Sequence, residues 1–212
     1  MNGITIAIPS GRLFPEAFSF LQRIGFVDAE VQDQRQLLLP ARFPGSQVLI
    51  AKPVDLLAYV EHGAADAGIA GKDILLEQER DVYELLDLGF GACRGVVAVP
   101  QERVEEVWAS GGLLRVATKY PRTAEEFFWK QGRPVEIIEM HGSVELAPRV
   151  GLADAIVDLV MTGQTLRANG LVEVAEVFQS TARLVVNRVS LRTRSQSIQA
   201  LLDRIEEVLQ HV

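Results

Sequence analysis

Between Asp154 and Asn169 the chain reads Asp-Ala-Ile-Val-Asp-Leu-Val-Met-Thr-Gly-Gln-Thr-Leu-Arg-Ala-Asn, residue types that suit binding of a phosphorylated sugar. Its apolar middle is a buried strand, on which period two turns Asp154 and Asp158 to the same side. Carboxylates there are costly to desolvate unless they are used. They accept hydrogen bonds from two sugar hydroxyls. Thr162-Gly163-Gln164-Thr165 then opens a helix, whose free N–H groups and positive dipole end attract an anion. The hydroxyls of Thr162 and Thr165 add donors, and Gly163 lets the backbone approach a phosphate closely. A phosphate site beside paired carboxylates fits a ribose 5-phosphate. The plainer reading of the same residues is two loop-capping aspartates followed by an N-cap turn.

Other chemistry-bearing residues are more scattered. Arg12 follows Pro9-Ser10-Gly11, where a strand gives way to a helix, and its fork of donors suits phosphate. An ordinary surface arginine at a helix start is the rival reading. In Gly71-Lys72-Asp73, Asp73 serves equally well as an N-cap or as a ligand contact. Ser143 and Glu145 begin a predicted helix whose N–H groups can face an anion or be plainly capped. His141 has no partner at motif spacing and reads as structural. Phe127, Phe128 and Trp129 divide between core and surface, and Cys93 reads as a small buried apolar side chain. A single cysteine excludes an internal disulfide, and His62, His141 and His211 have no zinc-site spacing. A net charge of −7 opposes nucleic-acid and anionic-membrane partners, so a polyphosphate must meet local positive charge.

The elements that must position these residues follow an α/β alternation. At 212 residues, with 48% hydrophobic and 23% charged residues, the chain can bury a core in one large domain or two small lobes. Strands are predicted at Ile4 to Ile8, Val48 to Ala51 and Ala67 to Ala70, in a mostly parallel sheet. The helix after the first strand places Phe14, Ala17, Phe18, Leu21 and Ile24 on one face and stops at Gly25. Val54 to His62 forms a helix closed by Gly63, and another helix starts at Gly71 to Asp73. Val82 to Leu88 and Arg94 to Val99 read as extended, with Gly89 and Gly91 bending the chain between them. The alternation restarts with strand Leu114 to Thr118, helix Arg122 to Gln131, strand Val135 to Glu139, helix Val144 to Val150 and strand Ala155 to Val160. Val172 to Phe178 and Ala182 to Val186 are extended, and a last amphipathic helix carries Ile198, Leu201, Leu202, Ile205, Val208 and Leu209. The expected division is a first lobe of 1–92 plus 180–212 and a second of 93–179, with a ligand cleft between them. No apolar run reaches the roughly 20 residues of a membrane span, and the N-terminus has no secretory pattern, so a cytoplasmic chain is expected.

Several long motifs in order carry a family resemblance. His141-Gly-Ser-Val-Glu145-Leu-Ala-Pro148, Gly151-Leu-Ala-Asp154 and the run through Leu171 resemble ATP phosphoribosyltransferase, the first enzyme of histidine biosynthesis. So do Tyr59-Val-Glu-His-Gly-Ala-Ala-Asp66, Gly71-Lys72-Asp73 and Tyr83-Glu-Leu-Leu-Asp-Leu-Gly89. The resemblance covers nearly the whole chain. It implies two lobes of the type II periplasmic-binding-protein kind, Mg²⁺, and transfer of phosphoribosyl from its diphosphate to ATP. It also implies the short form of the family, a catalytic subunit, itself expected to be a homodimer, that works with a regulatory partner related to histidyl-tRNA synthetases.

Under that resemblance Arg12 and Arg35 take catalytic roles near the diphosphate. Asp154, Asp158, Thr162, Gly163, Gln164, Thr165, Gly11, Lys52, Asp73, Ser143 and Glu145 become substrate contacts, and no metal ligand is assigned. The chain departs from the family pattern at Ser10, where lysine is frequent, at Lys52, usually arginine, and at Leu57, often proline. Two other readings stand beside it: a solute-binding module built on the same clamp, and a nucleobase-salvage phosphoribosyltransferase.

Overall fold

Runs of small and β-branched residues make the strands, and amphipathic stretches cover them. The computed structural model describes residues 1–28, 36–109 and 111–210. In chain order the first half is β1 (Thr5–Pro9), α1 (Phe14–Arg23), β2 (Leu38–Pro40), β3 (Gln47–Ala51), α2 (Pro53–Glu61), β4 (Ala67–Gly71), α3 (Lys72–Glu77), β5 (Val82–Asp87) and β6 (Cys93–Pro100). The second half is β7 (Leu114–Thr118), α4 (Pro121–Lys130), β8 (Val135–Glu139), β9 (Ala155–Val160), α5 (Gln164–Ala168), β10 (Leu171–Ser180), β11 (Ala182–Asn187), α6 (Arg188–Thr193) and α7 (Ser195–Leu209). Two compact units result, Met1–Gly91 with Thr181–Val212, and Ala92–Ser180.

In the first unit the strand order is β2-β3-β1-β4-β11-β5. β1 pairs in parallel with β3 and β4, while β11 runs antiparallel to β4 and β5, and β2 antiparallel to β3. The second unit has the order β10-β6-β9-β7-β8, with β7 parallel to β8 and β9, and β6 antiparallel to β9 and β10. Both sheets are therefore mixed, which corrects the expectation of a mostly parallel sheet. The antiparallel strands β6, β10 and β11 are those on which the chain passes between units, and a strand entered without a crossover helix pairs antiparallel with its neighbour.

Each sheet is packed by its own core. Ile4, Ile6, Ile8, Phe26, Ile69 and Leu184 form the centre of the first, and α7 adds Ile198, Leu201 and Ile205. Each such side chain contributes on the order of 1.5–3 kcal/mol when fully buried. Gly25 ends α1 at φ 67, its N–H donating to the Gln22 carbonyl at 2.9 Å, a left-handed position that favours glycine. In the second unit Phe128 and Val116 lie on one face of the sheet, and Val144, Ala147, Ile156 and Leu166 on the other. Gly95 of β6 lies directly under the Phe178 ring, 2.3 Å from where a Cβ would stand, so only glycine fits there.

Parallel strands send their C-terminal ends to one edge, and that is where α/β sheets present ligand-binding turns. In the first unit the edge gathers the turns after Pro9, Ala51 and Gly71. In the second it gathers those after Thr118, Glu139 and Val160.

Candidate functional site

Asp158 is the fourth residue of β9, two residues before the strand ends. The residue is only 7% exposed and its side chain 10%. Oδ1 accepts the N–H of Leu159 at 2.9 Å, and the Lys119 ammonium stands 3.7 Å away. Burial pushes this carboxyl above its ordinary range, Lys119 and the Leu159 N–H oppose that, and the nearby charge of Glu145 adds to it. The register Thr118↔Val157 sets Lys119 level with Asp158 on the neighbouring strand. Thr118 fixes that end of β7, its hydroxyl donating to the Val157 carbonyl at 2.7 Å and accepting the Tyr120 N–H at 2.9 Å.

The turn after β9 follows at once. Thr162, Gln164 and Thr165 are exposed and Gly163 is buried. Gly163 has φ 71, and a Cβ there would lie 2.9 Å from Nη1 of Arg167 and 3.2 Å from Oε1 of Glu173. Arg167 also donates to the Thr162 carbonyl at 2.9 Å, so the guanidinium is strapped across the turn. Because α5 has only five residues, little dipole stands behind the turn. What it offers an anion is its opening N–H groups, which a helix's first turn leaves without intrahelical acceptors, and two exposed hydroxyls.

The structure does not bring Asp154 to this turn, which corrects the pairing of the two aspartates. Asp154 immediately precedes β9 and sits at the opposite edge of the sheet, four residues or about 13 Å from Asp158 along the strand. Its carboxylate accepts Nε and Nη2 of Arg115 at 3.1 and 3.0 Å, and the Arg115 N–H at 3.1 Å. The Arg115 bond, against some desolvation, holds this carboxyl below its ordinary range. Asp154→Ala is expected to cost about 1 kcal/mol, limited by solvent screening at the partly exposed Arg115. A lowered carboxyl stabilises above its unfolded pKa of about 3.9 and stops doing so as pH falls through its folded value. Thermal melts across pH should show a deficit that is constant down to about pH 4 and shrinks below it, with ligand binding unchanged.

At the end of β8, His141, Gly142 and Ser143 are exposed. Ser143 has φ 51, the single non-glycine left-handed residue among those described, and such strain tends to collect at functional turns. The helix expected over Val144 to Val150 is instead one 3-10 turn, Val144–Leu146, anchored by the buried Val144 and Ala147. Pro148 explains this, since it has no N–H to return to the Val144 carbonyl. Glu145, within that turn, is the carboxylate whose charge reaches Asp158.

On the edge of the first unit, Gly11 opens a 3-10 turn with φ 77, and α1 begins only at Phe14. Arg12 is exposed there and donates to the Gly91 carbonyl at 3.4 Å. Lys52 is exposed at the start of α2. Asp73 is not the N-cap of α3. Gly71 is the N-cap of α3, and the buried Asp73 carboxylate folds back to 2.2 Å from where a Cβ on Gly71 would stand. It is a first-turn carboxylate at the positive end of a helix. Arg35 lies outside the described residues. Lys119 was missed from the sequence, although Lys119-Tyr120-Pro121 has the same strand-to-helix context that singled out Arg12. Among the described residues no group of three or more His, Cys, Asp or Glu side chains can hold a metal ion, and no helix is long and apolar enough to cross a membrane.

Comparison with known proteins gives these positions a family context. A family model described as HisG: ATP phosphoribosyltransferase matches residues 52–207. An ATP phosphoribosyltransferase of Moorella thermoacetica is 51% identical over 211 residues, 97% of this chain and 92% of its own. Among solved structures, an ATP phosphoribosyl transferase (HisG:HisZ) complex from Thermotoga maritima superposes with a TM-score of 0.83 at 34% identity, covering 99% of this chain and 100% of that one. The periplasmic aliphatic sulphonate binding protein SsuA of Escherichia coli, at 13% identity, shares the fold with a TM-score of 0.61 over 98% of this chain and 72% of its own. The α/β architecture is thus of the type II periplasmic-binding-protein kind.

Proposed function

The chain belongs to the ATP phosphoribosyltransferase family, and on that premise we propose how its residues carry the transfer of phosphoribosyl from its diphosphate to ATP in histidine biosynthesis. In this reaction N1 of adenine bonds to the anomeric carbon while the bond from that carbon to the diphosphate oxygen breaks and its electron pair leaves with the diphosphate. Loss of the proton released from the adenine amino group restores a neutral ring. The transition state has oxocarbenium character and needs no protein nucleophile. The protein's share is alignment of two substrates and stabilisation of charge gathering on the leaving group.

One observation supports the assignment above all: a buried carboxylate, Asp158, precedes by five residues a glycine turn that presents backbone N–H groups and the hydroxyls of Thr162 and Thr165. The sugar hydroxyls donate to Asp158, and the 5-phosphate takes the N–H groups of Gly163, Gln164 and Thr165. Ser143 and Glu145 extend this edge toward the diphosphate. In the first unit Arg12, Gly11 and Lys52 are assigned to phosphate contacts, and Arg35 has the residue type for the same task. Asp154 and Asp73 stabilise the fold and touch no substrate.

Mg²⁺ is the family's implied ion. It binds readily through substrate phosphates and waters with few protein ligands, which suits an edge without a cluster of metal-binding side chains among the described residues. When bound it neutralises diphosphate charge, and no protein ligand is assigned to it.

A HisZ-like partner, related to histidyl-tRNA synthetases, a homodimer of the catalytic chain and a cytoplasmic location complete the reading. Support for the partner comes from the Thermotoga maritima HisG:HisZ complex, one chain of which is covered end to end. The test is incubation with ATP, phosphoribosyl diphosphate and Mg²⁺, with and without the partner, against free nucleobases as acceptors. Formation of phosphoribosyl-ATP and diphosphate is expected, and turnover of a free base in its place would contradict the reading. Histidine should inhibit only when the partner is present.

A further inference from the structure

Lys119 stands at a defined position on the edge of the second unit, and the roles given above leave it unused. Its backbone is held on both sides: Thr118 ties the end of β7 to β9, and Tyr120 is buried and packs edge-on against Phe178, ring centroids 5.8 Å apart. The ammonium that results is 3.7 Å from Asp158. Its side chain is 39% exposed, so the ammonium lies at the surface of the edge, within reach of solvent.

Asp158 needs such a neighbour. It accepts from two sugar hydroxyls most strongly when ionised, yet it is buried and Glu145 brings a second negative charge. Elsewhere on this face Arg94 of β6 and Glu173 of β10 pair with each other at 2.6 Å, and Arg167 of α5 donates to the Thr162 carbonyl at 2.9 Å. Lys119 is the cation that pairs with Asp158, at 3.7 Å. We infer that Lys119 is a positioning residue for the transfer: its ammonium pairs with the Asp158 carboxylate and aims it at the ribose hydroxyls. This rests on the proposed role of Asp158 and deepens it.

The test uses the full chain with its partner and follows kcat/KM for phosphoribosyl diphosphate from pH 5.5 to 9. Removing the cation raises the carboxyl further, because the Leu159 N–H alone then opposes burial and Glu145. Lys119→Met should therefore move the acidic limb of the profile up by about one pH unit. KM should rise about tenfold near the limb, with recovery at alkaline pH, and kcat at high pH should be nearly unchanged. Lys119→Arg should restore the limb. In an Asp158→Asn background, Lys119→Met should produce no further shift. Should Lys119→Met fold poorly, Lys119→Gln serves, with melting curves run alongside. A loss of equal size at every pH, or no loss at all, overturns the proposal. Full activity of Asp158→Asn by itself would instead overturn the underlying role of Asp158, so the two failures are distinguishable.

Discussion

Asp158→Asn is expected to lower kcat/KM for phosphoribosyl diphosphate by about 10²- to 10³-fold while the melting temperature stays level or rises. The loss follows from weakening two hydrogen bonds to a charged acceptor, each worth about 1.5–3 kcal/mol. The opposite sign for stability follows from burial. Because the folded carboxyl is raised, its favourable contribution is present below the ordinary carboxyl pKa and is lost as pH rises through the folded value. Asparagine has no charge to desolvate, so the variant gains on the wild type as pH increases, by about 0.5–2 kcal/mol at neutrality. Lost attraction to Lys119 offsets part of this. Steady-state kinetics with melts at pH 5 and pH 7 check both halves. A variant that keeps its activity but melts lower would mark Asp158 as a structural charge.

Gly163→Ala should be almost as damaging to activity, for a geometric reason. At φ 71 an alanine costs about 1–2 kcal/mol in backbone strain, and its methyl must displace the end of Arg167 or Glu173. Either movement shifts the turn that presents the N–H groups, and loss of aimed donors of this kind costs about 10²-fold in rate. Gly170→Ala is the control. Gly170 has φ 69 with nothing within 4 Å of a Cβ, so the same strain should lower stability by about as much and leave kinetics alone. Parallel losses of activity in both variants would show that stability, not the turn, is limiting.

Much of this was legible in the sequence because period and punctuation are local. The run from Ala155 to Val160 and the Thr-Gly turn after it lie where the sequence reading put them, and the face of α7 follows from its apolar spacing. Period two gives the face of a strand but not which end meets the ligand, so Asp154 and Asp158 looked equivalent. What separates them is Arg115, 39 residues away in sequence and adjacent only through the β7–β9 pairing. Lys119 was overlooked for the same reason, since its meaning comes from the strand beside it. The 3-10 turn at Val144 was legible in Pro148 and was missed. The Asp73 carboxylate gave no local sign that it would fold back over Gly71.

The most direct test of the account is a crystal structure of this chain with phosphoribosyl diphosphate bound. The account predicts the 5-phosphate on the N–H groups from Gly163 to Thr165, the ribose hydroxyls on Asp158, and Asp154 still paired with Arg115. A sugar held by Asp154, or seated away from the Thr162–Thr165 turn, would contradict it.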